Sequence, residues 1–237
     1  NHFETKINTF LSQLLTEETI ESSYQSSIAT IWKDRVAKHQ EYTAKIPFSD
    51  FKVFDFICQN VPKNSQLQVS NSSAIRYLQL FDLDKSIQVF CNRGTSGIDG
   101  STSTAIGAAL ASDLPTMLIT GDISFLYDSN ALWNNYIPKN FKIILLNNSG
   151  GGIFRILPGH QETETFNTYF ETSHQLNALH LSKMYGFDYY TATDEDSLKT
   201  SYKFFLNQNN KPCILEIFTP EKSNNRILLD FFVALKK

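Results

Sequence analysis

Cysteine is scarce: Cys58, Cys91 and Cys213 are the only three in 237 residues, far apart and without a C-x-x-C pair. That count and spacing argue against a disulfide framework or a cysteine zinc site, and a reducing, cytoplasmic setting is expected. Proline (7) and glycine (10) are also few, and charged residues make up only 19%. Collagen-like, mucin-like and wholly disordered classes need other compositions. Basic charge is not in excess, since the net charge is −3. No global field draws a phosphate backbone, so no nucleic-acid partner is expected, although a local basic site stays open. No apolar run approaches a membrane span, and Asn1-His2-Phe3-Glu4 lacks the basic start and apolar stretch of a signal peptide. No membrane span is expected.

Several motifs are missing as well. His2, His39, His160, His174 and His180 form no H-x-x-x-H pair, and there is no G-x-S-x-G elbow. Zinc hydrolysis and triad chemistry lose their support, and the histidines read as surface or capping residues. Gly94, Gly97 and Gly100 are spaced G-x-x-G-x-x-G, which is not the dinucleotide G-x-G-x-x-G, and no Walker lysine follows a glycine loop.

What is present is a globular pattern, 41% hydrophobic, long enough to bury roughly 70% of its unfolded surface. Phe3, Ile7, Phe10, Leu11, Leu14 and Leu15 recur at helical spacing over 3–15, and Ile28, Ile31, Trp32 and Val36 give a thinner stripe over 25–44. Pro47 ends this region, so 1–46 reads as a helical appendage or the tail of a preceding domain, and 47–237 as the main domain. Within it helices are predicted at 51–60, 73–81, 101–112, 124–136, within 161–185, at 195–207 and at 224–236. Strands are predicted at 66–69, 87–91, 116–120, 142–146, 187–191 and 213–218. Continuous apolar strands such as IILL at 143–146 fit a sheet covered on both faces. The fold expected is α/β, doubly wound, with six mainly parallel strands and helices on both faces. Such folds bind ligands outside the carboxyl ends of the strands, here 70–76, 92–99, 121–124 and 147–157.

Two of these ends carry oxygen-rich chemistry. Strand 116–120 runs into Gly121-Asp122-Ile123-Ser124, and strand 142–146 into Asn147-Asn148-Ser149-Gly150-Gly151-Gly152. A carboxylate (Asp122), an amide oxygen (Asn148) and a backbone carbonyl near Gly150 suit a hard cation such as Mg2+, which keeps company with phosphates. Free N–H groups at a helix start opened by Ser124 would hold further phosphate charge. Each half alone also reads as an ordinary turn: Asp122 as a cap, the asparagines as a polar loop.

Together, Asp122 and Asn147, 25 positions apart and each behind an apolar strand, resemble the Gly-Asp-Gly and Asn-Asn signature of the thiamine-diphosphate decarboxylase and acetolactate-synthase superfamily. Ile123 replaces the last glycine. NRGTSGIDGSTSTAIGAALAS at 92–112, GDISFLYDSNAL at 121–132 and NNSGGGIFRILP at 147–158 are similar to one branch, the 2-succinyl-5-enolpyruvyl-6-hydroxy-3-cyclohexene-1-carboxylate (SEPHCHC) synthases of menaquinone biosynthesis. The likeness runs from about residue 30 to the C-terminus and covers that family's C-terminal, diphosphate-binding domain with the end of its central domain.

The resemblance implies thiamine diphosphate with Mg2+ or Mn2+, held by Asp122, Asn148 and the Gly150 carbonyl. Ser96, Gly121, Ser124 and Gly151 would contact the cofactor, Ile98 would wedge its bent form, and Ile153 would face both cofactor and substrate. Ser72, Arg76, Arg93, Phe154 and Leu157 would meet the substrates, 2-oxoglutarate and isochorismate; guanidinium groups suit such carboxylates. Ser70-Asn71-Ser72-Ser73-Ala74-Ile75-Arg76 matches the family's stretch except that Ser70 replaces a glycine. The activating glutamate of such enzymes comes from a separate N-terminal pyrimidine-binding domain. It maps to no residue of this chain, including Glu4, Glu17 and Glu18, so the chain alone is expected to be inactive. A homodimer or homotetramer is implied. Another thiamine-dependent 2-oxo acid decarboxylase or carboligase, and a non-catalytic phosphate-binding module, are the alternatives.

Overall fold

The computed structural model describes Thr9, Leu11, Ser12 and residues 23–236. Most of the helix predicted at 3–15 lies outside the described residues. Two compact units are formed, Asn1–Gln40 and Glu41–Lys237. Helix α1 runs over Ser23–Lys45, and in its last turn Tyr42 and Thr43 join the second unit: Thr43 is buried, and the Tyr42 hydroxyl donates to Ile227 O at 2.6 Å.

The second unit alternates as its apolar runs dictate: α2 (Asp50–Asn60), β1 (Gln66–Val69), α3 (Ser73–Leu78), β2 (Gln88–Cys91), α4 (Ser101–Ala111), β3 (Thr116–Gly121) and α5 (Asp122–Tyr127). After a 3-10 turn at Ser129–Trp133 come β4 (Lys142–Asn147), a second 3-10 turn at Gly152–Arg155 and a π-helical turn at Phe166–Glu171. The chain ends with α6 (Leu179–Tyr185), β5 (Asp188–Ala192), α7 (Glu195–Asn207), β6 (Cys213–Phe218) and α8 (Asn224–Lys236). The strands form one parallel sheet in the order β2-β1-β3-β4-β6-β5.

Alternate side chains of the central strands feed two cores. Ile119, Ile144, Leu146, Leu215 and Ile217 pack with Phe51, Phe54, Tyr77, Phe205 and Phe231 on one face. Leu118, Ile143, Leu145 and Ile214 pack with Phe125, Leu132, Phe141 and Phe187 on the other. Each such aliphatic side chain contributes about 1.5–3 kcal/mol by leaving water. Helices therefore cover both faces of β3, β4 and β6. The edge strand β2 differs, leaving Val89 and Phe90 exposed.

The predicted helix 124–136 is shorter and starts earlier. Gly121 is its N-cap and Asp122 its first residue, and it stops at Tyr127 because Asp128 turns its buried carboxylate to Ser103, accepting from the backbone N–H at 2.7 Å and the hydroxyl at 2.6 Å. That carboxylate caps α4 instead of continuing α5. Among the described residues no helix is long and apolar enough to cross a membrane.

Candidate functional site

Strands β1 and β3 are neighbours although β2 lies between them in sequence, so crossovers leave the sheet in opposite directions there and open a crevice at the carboxyl ends. β3 and β4 are also neighbours, with Gly121 opposite Leu146, which places Gly121-Asp122 beside Asn147-Asn148. A cavity of about 230 Å3 lies there, walled by residues that include Asn71, Ser72, Ile98, Asp122, Asn148, Gly150 and Ile153.

Asp122 is buried at its floor. Its Oδ1 accepts from the Ile123 N–H at 2.7 Å and its Oδ2 from the Gly150 N–H at 3.0 Å, so the two loops are stitched through the carboxylate. Each oxygen keeps acceptor capacity for another partner. Of the two asparagines, Asn147 is committed to structure: its Nδ2 donates to Leu176 O and Glu216 Oε1, and its Oδ1 accepts from Ser149 N. Asn148 donates Nδ2 to Asp50 Oδ2 at 2.9 Å, while its Oδ1 has no hydrogen-bond partner among the described residues.

The glycines are forced by close approach. Gly150 has φ +154°, and a Cβ there would sit 2.7 Å from Glu171 O; at Gly151 it would sit 3.1 Å from Phe170 O. The Gly151 N–H donates to Glu171 O at 2.6 Å and the Gly152 N–H to Gly150 O at 3.0 Å. Behind this loop the Arg155 guanidinium grips both oxygens of Glu171 and also Glu162. Arg155 and Glu171 side chains are only 4% and 1% exposed. Glu171 and Glu162 hold the Arg155 pKa above its ordinary value.

His174 corrects its reading as a surface or capping residue. Its ring is mostly buried, with Nε2 3.3 Å from Asp122 Oδ2. Nδ1 accepts from the Leu176 N–H at 3.1 Å, which puts the neutral ring's proton on Nε2, facing Asp122. Nε2 is close to the carboxylate without meeting hydrogen-bond geometry, and the Asp122 carboxylate raises the His174 pKa, so that protonation of the ring would make the contact an ion pair.

Ser124 is the third residue of α5 instead of its opening one, and its hydroxyl donates to Ile98 O at 2.5 Å, pinning the Ile98 loop over the cavity. Ser70, where a glycine was expected, is buried: its N–H extends the ladder to Ile119 O and its Oγ accepts from the Gly121 N–H at 3.4 Å. The left-handed residue of that turn is Ser72, at φ +70°. Ile153 and Phe154 line the cavity with Ser72 and Ile98. Leu157, read as meeting the substrates, stands half exposed outside the cavity lining, two residues beyond Arg155, whose own side chain is buried on Glu171. Arg76, Arg93 and Ser96 also lie outside the cavity walls, on its exposed approaches. Arg76 Nη1 donates to Ser72 O at 2.8 Å, Arg93 Nη1 to Asn71 Oδ1 at 2.9 Å, and the Ser96 hydroxyl to Arg93 O at 3.3 Å.

Two residues that sequence reasoning did not single out belong here. Asn71 Nδ2 donates to the Asn92 and Gly97 carbonyls at 2.7 and 2.6 Å and so ties the β1 end to the Ile98 loop. Asp50, directly ahead of the helix predicted at 51–60, lines the cavity, and burial pushes its carboxyl up to about 6.

Among the described residues, Asp50 and Asp122 are the only charged ones lining the cavity, and no lysine or arginine does. Two carboxylates repel an anionic ligand unless a cation stands between them. Among the described residues no group of three His, Cys, Asp or Glu could hold one. The donor set that remains, a carboxylate, the unpartnered Asn148 oxygen and a glycine carbonyl, is made of hard oxygens and fits Mg2+ or Mn2+ shared with phosphate.

The family described as thiamine pyrophosphate enzyme, C-terminal TPP binding domain, matches residues 71–217. The chain is 60% identical over 235 residues to the 2-succinyl-5-enolpyruvyl-6-hydroxy-3-cyclohexene-1-carboxylate synthase of Flavobacterium johnsoniae and 62% identical to that of Flavobacterium psychrophilum. In both cases 99% of this chain is covered, and the chain spans 42% of the relative's length. Among solved structures, a thiamine diphosphate-dependent 4-hydroxybenzoylformate decarboxylase from Rhodococcus jostii superposes with a TM-score of 0.57 at 23% identity, over 73% of this chain and 33% of that one. That likeness concerns the fold.

Proposed function

Because the chain belongs to the thiamine pyrophosphate enzymes and carries their C-terminal TPP-binding domain, we propose that it forms the diphosphate-binding half of a SEPHCHC synthase active site. The protein would decarboxylate 2-oxoglutarate and transfer the resulting succinyl carbanion to isochorismate. The observation that carries the cofactor site is the cavity with two carboxylates, no lysine or arginine among its described lining residues, and three hard oxygen donors from adjacent strand ends.

In this reading Asp122, Asn148 and the Gly150 carbonyl hold Mg2+ or Mn2+. The backbone of Gly121 and Gly151, which lines the cavity, would contact the diphosphate. Ser124 would act indirectly, by holding in place Ile98, which would brace the cofactor. When bound, thiamine diphosphate supplies the electron sink that stabilises a carbanion after loss of CO2. The protein's part is to orient the reactants and to keep water out. Ile153 and Phe154 give an apolar wall beside the reacting centre, while Ser72 lines the cavity at its β1 end. Arg76 and Arg93 stand on the approach as carboxylate anchors, and reaching a substrate would require each to exchange its present carbonyl or amide acceptor.

The activating glutamate is assigned to a pyrimidine-binding domain in the part of the relatives that this chain does not span, completed in a homodimer or homotetramer. The rim supports closure by another polypeptide segment: Tyr127 is 67% and Tyr169 77% exposed at the cavity edge. A cytoplasmic location fits the three free cysteines.

The test uses the protein as its gene encodes it, with thiamine diphosphate and Mg2+. CO2 release from 2-oxoglutarate, matched by isochorismate consumption and lost in Asp122→Ala, is the expected result. Turnover of pyruvate without 2-oxoglutarate would reject the substrate assignment and keep the cofactor site. Absence of metal-dependent cofactor binding would reject both.

A further inference from the structure

We propose that Asp50 is a positioning residue for the metal site: it fixes which end of the Asn148 side-chain amide faces the cation. The inference rests on the reading of Asp122, Asn148 and Gly150 as metal ligands. It begins from a carboxylate the fold does not need for capping. Ser49 is the N-cap of α2, with its Oγ accepting from Lys52 N at 3.4 Å, and Asp50 turns its side chain inward instead. There it is buried, and no basic group offsets its charge among the described residues. Such a carboxylate is costly to stability, so its presence asks for another reason.

The hydrogen bonds around it form a chain with one polarity. Asn224 Nδ2 donates to Pro220 O at 2.8 Å, so Asn224 Oδ1 is left to accept from the Asp50 N–H at 2.9 Å. The Thr219 hydroxyl donates to Asp50 Oδ1 at 2.5 Å, and Asn148 Nδ2 donates to Asp50 Oδ2 at 2.9 Å. An ionised carboxylate only accepts, so the nitrogen of Asn148 must face it. The amide oxygen is then the end left for a cation. No neutral residue at position 50 imposes that choice so strongly. In Asp50→Asn, Thr219 can still donate to the new amide oxygen, which turns an NH2 group toward Asn148. Two NH2 groups repel, so Asn148 flips and presents a donor where the cation needs an oxygen.

The test measures Mn2+ affinity by electron paramagnetic resonance, with thiamine diphosphate present and no substrate, on the protein as its gene encodes it. Asp50→Asn should raise the half-saturating Mn2+ concentration about 10–100-fold, the range found when partners of metal ligands are removed. The exchanged pair Asp50→Asn with Asn148→Asp should recover most of the affinity. In that pair the amide introduced at position 50 donates to the carboxylate introduced at position 148, whose second oxygen faces the metal. Asn148→Asp alone, with two carboxylates side by side, should not recover it.

Unchanged Mn2+ affinity in Asp50→Asn would overturn the inference. So would an exchanged pair that folds yet binds no better than Asn148→Asp, and this arm stands even if Asp50→Asn does not fold. The underlying reading fails separately, if Asp122→Ala leaves Mn2+ affinity at the parent value.

Discussion

Replacing Arg155 by methionine and Glu171 by leucine, singly and together, probes how the glycine loop of the site is held. The pair is almost fully buried and joined through two parallel N–H to oxygen contacts, with Glu162 as a second, half-exposed acceptor. Arg155→Met strands the Glu171 carboxylate, and losing one partner of a buried pair costs about 3–5 kcal/mol. Glu171→Leu leaves Arg155 with Glu162, so the cost falls near the lower end of that range. The double variant replaces the pair with apolar groups of similar length, which is often neutral or stabilising. The coupling between the sites should therefore approach the sum of the two single costs, at least about 6 kcal/mol. A local assay is needed, because larger proteins rarely unfold in two states. The Gly151 amide supplies one, since it donates to Glu171 O and its hydrogen exchange reports opening of this loop. Each single variant should accelerate that exchange by about two orders of magnitude, at roughly 1.4 kcal/mol per tenfold, and the double variant should return most of it. Singles that change exchange by less than about threefold, or a double as fast as the worse single, would refute the reasoning.

Gly150→Ala places a Cβ 2.7 Å from Glu171 O at an unfavourable φ, so cofactor affinity should drop at least about tenfold by calorimetric titration while far-UV circular dichroism is retained. Arg93→Ala should leave cofactor affinity unchanged and raise the KM for the 2-oxo acid; equal loss of cofactor would contradict its role as a substrate anchor. The His174 pKa is raised by Asp122, so in metal-free protein its stabilising contribution is full below the unfolded value near 6.5 and is lost as pH rises through the folded value. His174→Gln should flatten that part of the profile of denaturation midpoint against pH, and an unchanged slope would count against the contact.

The alternation of helices and strands is legible because buried parallel strands read as apolar runs, and the ends of β3 and β4 because Gly-Asp and Asn-Asn follow them directly. What escapes the sequence is polar pairing across long separations. Asp50 sits after a serine where any helix favours an acid, so nothing local tells it from a dipole-complementing residue; its partners Asn148 and Thr219 are 98 and 169 positions away. His174 belongs to no spaced ligand motif, and only the return of the chain after the π-helical turn brings it to Asp122. Arg155 and Glu171 are 16 apart across an irregular loop, where no helical or strand period pairs them. The early end of α5 has a local sign in Asp128, but its meaning depends on Ser103 being near in space.

The most direct test of the metal-anchored diphosphate site is calorimetric titration of thiamine diphosphate into the protein as its gene encodes it, with Mg2+ and with the ion removed by chelation, for the parent and Asp122→Ala. Binding by the parent only when Mg2+ is present, and none by the variant under either condition, is the result expected from two carboxylates that need a cation between themselves and a diphosphate. Equal affinity with and without the divalent ion, or full binding by Asp122→Ala, would contradict it.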